Sequence, residues 1–286
     1  MRRFINPFSD VGFKKIFGQE INKELLIEFL NDLLEGEKRI KDIRFLDKES
    51  LPFYENDRTG IYDISCQTEA GEHFIVEMQN IRQVHFSERA LYYLTRALAY
   101  QGEKSAQWQF ELNAVYGVFF MNFRLNGRPG KLRTDVVLTD RETHEQFSDK
   151  LRFIFLELPS FRKEEEECET DFERWIYVLK NMETLKRIPF KARKSVFEKL
   201  EKIADLSSLS KAERIKYDAS IKAYRDHLAT IAYGKAEGKA EGKAEGKTEG
   251  ERNKQIEIAR KLKAKGLSID LITETTGLSV EEVERL

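Results

Sequence analysis

The segment that most constrains this chain lies between residues 61 and 79. IYDISCQT (61–68) and HFIVEMQ (73–79) are short runs rich in β-branched and aromatic residues, separated by EAGE, a polar turn containing glycine. Such a pair reads as a β-hairpin. Strand side chains alternate between faces, so Glu77 and Gln79 share a face with His73 and Ile75, while Val76 and Met78 take the other. A turn centred near Ala70 and Gly71 sets Asp63 against residue 77, 78 or 79. A register that places Asp63 opposite Glu77 or Gln79 gathers all three on one face, with cross-strand Cβ atoms about 5 Å apart. Two carboxylates that close repel each other, and a divalent cation between them is the usual remedy.

The polar face has two readings. It is the solvated side of a surface hairpin, with no chemistry, or it lies within a sheet whose faces are covered, where polar groups need a reason. The first is the commoner case for a hairpin; the helix and strands that follow place this one centrally, which adds weight to the second. Asp63 and Glu77 then bind Mg²⁺ (or Mn²⁺), helped by a backbone carbonyl such as that of Met78. Gln79, which donates and accepts without carrying charge, orients a water or donates to a phosphate.

Around the hairpin the pattern alternates helix and strand. EINKELLIEFLNDLL (20–34) carries Ile21, Leu25, Phe29 and Leu33 at helical spacing, and a short strand around IRFL falls within 39–48. FSERALYYLTRALAYQ (86–101) is a helix with Ser87 as its expected N-cap. Strands follow at 114–121 and 151–158, with one more, DVVLTD, in the stretch between them. Amphipathic helices then occupy 171–187, 190–206 and 210–232. The fold class is α/β, a mixed sheet flanked by helices with a C-terminal helical extension. The expected division is a core over 1–160, a helical subdomain packed on it over 161–233, a repeat spacer over 234–250 and a small helical tail over 251–286.

The spacer GKAEGKAEGKAEGKTEG has glycine every fourth residue, which weakens a helix by about 1 kcal/mol per glycine relative to alanine. It reads as a marginal helix or a solvated spacer. In the tail, Gly266 and Gly277 each end a helix, and Ser279 with Glu282 forms a capping box opening another. TGLS between two short helices has the look of a helix-turn-helix. The helix in the reading position, VEEVERL, is short and acidic, which suits interaction or self-association better than contact with phosphates.

The 49 basic and 50 acidic side chains leave a net charge of −1, so any grip on nucleic acid must come from a local patch. Arg89, Tyr93, Arg96 and Tyr100 form one stripe on the helix after the hairpin, with Leu91, Leu94 and Leu98 turned to the core. Arg89, Arg96 and Lys14 are the candidate DNA contacts; the bland alternative for the stripe is an amphipathic helix with half-buried tyrosines. Asp10 reads as an N-cap. Glu24 and Glu28 are helix carboxylates that could extend a metal shell or simply face solvent. The four histidines form no ligand set, and no glycine-rich phosphate loop is present, so nucleoside triphosphate chemistry is unsupported. Cys66 and Cys168 make neither a disulfide framework nor a zinc site and read as reduced thiols. The longest apolar run, AVYGVFFM, is too short to span a bilayer, so no membrane association and a cytoplasmic location are expected.

Four segments in order, NPFSDVGFKKIFG, YDISCQTEAGEHFIVEMQ, ERALYYLTRALAYQ and FIFLELPSF, together resemble the PD-(D/E)XK nuclease family transposases, the group that includes the recombination-promoting nucleases. The likeness covers about residues 4–230, and the GKAEG tail is also similar to members of that group. It implies a restriction-endonuclease-like sheet and a Mg²⁺-dependent endonuclease acting on DNA in bacteria, with a role in recombination. The family pattern of one aspartate on a strand and Glu-x-Lys or Glu-x-Gln on the next falls on Asp63, Glu77 and Gln79. Glutamine replaces the lysine usual in the wider superfamily, which removes a cation from the phosphate and the nucleophile. The competing expectation is a catalytically inactive nuclease-fold protein that binds DNA or serves as a scaffold, self-associating as a homo-oligomer through its C-terminal helices.

Overall fold

The computed structural model describes residues 2–46, 63–102, 109–125, 130–191 and 194–286. Residues 61–62 of the expected first hairpin strand, 47–48 after the short strand, and 192–193 of the expected helix 190–206 lie outside them. By the density of its internal contacts the chain divides into two compact units, Met1–Ile221 and Lys222–Leu286.

The first unit is built on one six-stranded mixed sheet. Its strands are β1 (Ile43–Phe45), β2 (Ile64–Thr68), β3 (His73–Gln79), β4 (Val115–Met121), β5 (Arg133–Thr139) and β6 (Gln146–Glu157). They lie in the order β1-β2-β3-β4-β6-β5, with β3, β4 and β6 parallel and the outer pairs antiparallel. Parallel neighbours need crossover connections, and α3 (Phe86–Ala99) lies in the chain between β3 and β4.

Both faces of the central strands are covered, as a parallel sheet requires. On one face Phe74, Val76, Val118, Phe120, Ile154 and Leu156 join a large core with side chains of α1 (Asp10–Phe17), α2 (Lys23–Leu33), α4 (Asp171–Asn181) and α5 (Val196–Ala204). Phe17, Phe29, Phe120 and Trp175 form its aromatic centre, and the Trp175 indole N–H donates to Asp32 at 2.9 Å. On the other face Ile75, Val115, Phe119, Phe153 and Phe155 pack against Phe86, Ala90, Leu94 and Ala97 of α3. Gly117 is what lets α3 approach: a Cβ there would stand 2.6 Å from Leu94 Cδ1 and from the Phe119 ring.

Several local expectations are corrected. A helix not expected from apolar spacing, α1, precedes the one read at 20–34. Ser9 caps α1, its hydroxyl accepting from Gly12 N–H at 3.0 Å, and Asp10 is the first residue inside the helix rather than the cap. α2 begins only at Lys23, after a short 3₁₀ turn, and leaves Ile21 81% exposed while Leu25, Phe29 and Leu33 are buried. α3 begins at Phe86 behind His85, whose backbone is left-handed at φ 64°, so Ser87 does not cap it. Its core face runs through Phe86, Ala90, Leu94 and Ala97, which leaves Leu91 50% exposed. Of the two readings of the glycine repeat the helical one holds: it lies inside the 54-residue helix α6 (Lys211–Ala264). Nothing lies within 4 Å of a Cβ built at any of its five glycines. The first turns of α6 belong to the first unit, where Tyr217 and Ile221 join the large core.

In the second unit α7 (Ile269–Thr276) and α8 (Val280–Arg285) close a small core of Ala259, Ile272, Leu278 and Val283. Gly266 and Gly277 adopt the left-handed φ of helix ends, and Ser279 and Glu282 form the expected reciprocal capping box. Cys66 and Cys168 are buried free thiols.

Candidate active site

Antiparallel pairing of β2 with β3 sets Ile64 against Val76, and the same register one step on sets Asp63 opposite Glu77. The two strands are tied there by side chain as well as ladder. Met78 N–H donates to Asp63 Oδ2 at 2.9 Å, and Asp63 N–H donates to Glu77 Oε1 at 3.1 Å. Glu77 is 6% exposed and lies on the same face of the sheet as Ile75, the face that α3 covers. Met78 sends its side chain to the first core and offers only its backbone to the site.

Burial raises the pKa of the Asp63 carboxyl, partly offset by the Met78 N–H and by the positive charge of Lys14. Burial, and then the charge of Asp63, pushes Glu77 up to about 8. Both shifts favour the protonated form, so the pair resists carrying two negative charges, and the charges of Lys14 and Arg89 offset this only in part.

Gln79 is held at both ends. Its Oε1 accepts from the Arg89 guanidinium and its Nε2 donates to the Ile81 carbonyl at 2.9 Å. Arg89 also donates to Gln83 Oε1 at 2.6 Å, and its guanidinium lies 5.7 and 5.8 Å from the ring centroids of Phe86 and Tyr93. Beside it a cavity of about 510 Å³ opens among Arg82, Gln83, Val84, His85, Phe86, Ser87, Glu88 and Leu125. Lys14, on α1, pairs with Asp10 one turn earlier, and its charge bears on both Asp63 and Glu77.

The structure thus brings together Asp63, Glu77, Met78, Gln79, Arg89 and Lys14. It does not bring Arg96 with them. Arg96 is 4% exposed, two turns beyond Arg89, and donates to the hydroxyls of Tyr92 at 2.5 Å and Tyr100 at 3.4 Å. The stripe inferred from spacing is therefore not one open surface. Glu24 and Glu28 serve ion pairs with Lys199 and Lys194. His73 is tied to Ser65 Oγ at 2.7 Å and pushed down to about 4 by burial. Sequence reading missed Asn80, whose Nδ2 donates to the Phe8 carbonyl at 2.6 Å and fastens the start of α1 to the end of β3, and Gln83, which braces Arg89. Nothing in their spacing marks either residue.

The donor set suits a divalent cation. Asp63 and Glu77 supply a half-buried and a buried carboxylate on adjoining strands, and Mg²⁺ binds through one or two carboxylates with water and phosphate oxygens completing its shell. Among the described residues no group of three or more His, Cys, Asp or Glu side chains forms a fuller cage.

A mixed sheet with helices on both faces, carrying an acid pair and a polar third residue on adjoining central strands, has the PD-(D/E)XK fold. The chain belongs to the PD-(D/E)XK nuclease family transposases, whose family model matches residues 7–234. Nucleases of this type generally use divalent metals. No curated protein and no solved structure matches the chain. Among the described residues no helix is long and apolar enough to cross a membrane.

Proposed function

We propose that the protein is a DNA endonuclease that hydrolyses phosphodiester bonds with Mg²⁺ or Mn²⁺ held by Asp63 and Glu77. The observation that carries this reading is the pair of carboxylates at the end of the central hairpin, buried Glu77 and half-buried Asp63, each accepting a backbone N–H from the opposing strand. A bound divalent cation supplies Lewis-acid polarisation of the phosphoryl oxygen. The chain's own residues do the rest. Asp63 and Glu77 would hold the ion as carboxylates, the charged forms that burial alone disfavours. Arg89 fixes the Gln79 carboxamide, so its second N–H is free to orient a water or meet a phosphate oxygen. Arg89 adds positive charge for the backbone, and the neighbouring cavity gives the strand room.

Membership of the family supports DNA as the substrate, and we extend the reading to a bacterial, cytoplasmic enzyme whose breaks promote recombination. Plasmid incubated with the purified protein and Mg²⁺ or Mn²⁺ is nicked or linearised, and Asp63→Ala abolishes cutting. The uncharged Gln79 favours a second reading, an inactive DNA-binding scaffold that self-associates through its C-terminal helices. Wild type and Asp63→Ala behaving alike with both metals would establish that one instead.

A further inference from the structure

Phosphodiester hydrolysis builds negative charge on the phosphoryl oxygens, and preorganised positive groups at that position carry much of the catalysis. The third residue of the site, Gln79, brings no charge. Arg89 is close, but its guanidinium is already engaged by Gln79 and Gln83.

Lys14 is placed differently. The Asn80 hydrogen bond to the Phe8 carbonyl fastens the residues before α1 to the end of β3. At the other end of α1, a Cβ built on Gly18 would stand 3.5 Å from Ile64 Cγ1 at the start of β2. The helix therefore bridges the two strand ends that carry the acid pair. Phe13, Ile16 and Phe17 face the core, and Lys14 lies outside that face; its charge bears on Asp63 and Glu77, opposed at Asp63 by that of Asp10. Its ion-pair partner is Asp10, one helical turn away and largely exposed, and such pairs hold weakly in water. An ammonium on four flexible carbons can leave that pair for a phosphate oxygen.

We propose that Lys14 is a catalytic residue, contacting the scissile phosphate from the α1 side and supplying the positive charge that Gln79 lacks. The assignment rests on the nuclease reading above and goes beyond a passive grip on the DNA backbone.

The test uses the full chain with Lys14→Met, Lys14→Gln, Lys14→Arg and the double variant Lys14→Met/Gln79→Lys. Two quantities are read on one DNA duplex: the single-turnover cleavage rate with Mg²⁺, and the dissociation constant with Ca²⁺ in its place. Melting curves check that each variant is folded. The expected result is a cleavage rate lowered about 100-fold in Lys14→Met and Lys14→Gln, the loss typical of one charge-stabilising donor. The dissociation constant should change less than about threefold, roughly the loss of one phosphate contact. Lys14→Arg should stay within about tenfold of wild type, and Gln79→Lys should restore at least about tenfold to Lys14→Met. A wild-type cleavage rate in Lys14→Met overturns the proposal. So does weaker binding with a salt dependence shallower by about one and an unchanged rate, which makes Lys14 a backbone anchor. If wild type itself fails to cut, like Asp63→Ala, the nuclease reading falls and this assignment falls with it.

Discussion

Glu77 is easier to bury with its proton than without it, and this gives the metal-free protein a distinctive response to pH. An ordinary glutamate titrates near 4.5, whereas burial and the adjacent Asp63 push this one up to about 8. Between those values the folded chain holds a proton that the unfolded chain has lost, so stability falls as pH rises. His73 works in the opposite sense. Its pKa is pushed down to about 4 by burial, so it adds stability as pH rises from about 4 to 6.5. The useful window is therefore pH 6.5 to 8.5, where the carboxylate pair titrates, His73 is neutral in the fold and only the last half of its unfolded-state charge is lost, a loss that Glu77→Gln shares. Linkage across that window removes about 2 kcal/mol at ~1.4 kcal/mol per pH unit. For a unit of roughly 200 residues that is a fall in Tm of about 4–8 °C. The assay is thermal melting in EDTA, followed by near-ultraviolet circular dichroism of the buried aromatic core, for wild type and Glu77→Gln. Glu77→Gln keeps the shape of the side chain and removes its titration, so its Tm should stay flat where wild type declines. Saturating Mn²⁺ should reverse the wild-type trend, because the ion binds the deprotonated pair. Parallel curves for wild type and Glu77→Gln in EDTA would refute the reasoning.

Two further outcomes follow from neighbouring contacts. Arg89→Ala releases Gln79 and Gln83 and removes a cation from the site. Cleavage should fall by about 10–100-fold and the salt dependence of DNA binding should become shallower by about one, as measured in a salt titration. Replacing the glycines at 234, 238, 242, 246 and 250 with alanine should strengthen α6 by up to about 1 kcal/mol each, since each position has open space for a Cβ. Circular dichroism at 222 nm through a thermal melt reads this directly, and an unchanged or lower helix signal would contradict it.

The hairpin was legible because its signals are local. A period of two sets the faces and a four-residue polar turn narrows the partner of Asp63 to residues 77–79, among which the ladder register selects Glu77. The tail was legible for the same reason, since left-handed glycines and a capping box act within one turn of chain. What escaped depends on contacts distant in sequence. α1 offered only eight residues, and its seating depends on Asn80, more than 60 residues later. The spacing of Arg96 puts it on a stripe with Arg89, but Tyr92 and Tyr100 draw its guanidinium inward. Ile21 has helical spacing but falls in the 3₁₀ turn before α2, where that spacing no longer points to the core. The glycine repeat forms helix although each glycine opposes it, the helical one of the two readings its propensity left open. The glutamine at position 79 was plain in the sequence; that Arg89 holds it was not.

The most direct measurement of the central claim is an anomalous-scattering map from crystals soaked in Mn²⁺. A peak within coordination distance of both the Asp63 and Glu77 carboxylates, absent from crystals of Asp63→Ala, is the expected result. Manganese bound elsewhere, or no peak at the pair under conditions where the protein cuts DNA, would contradict the account.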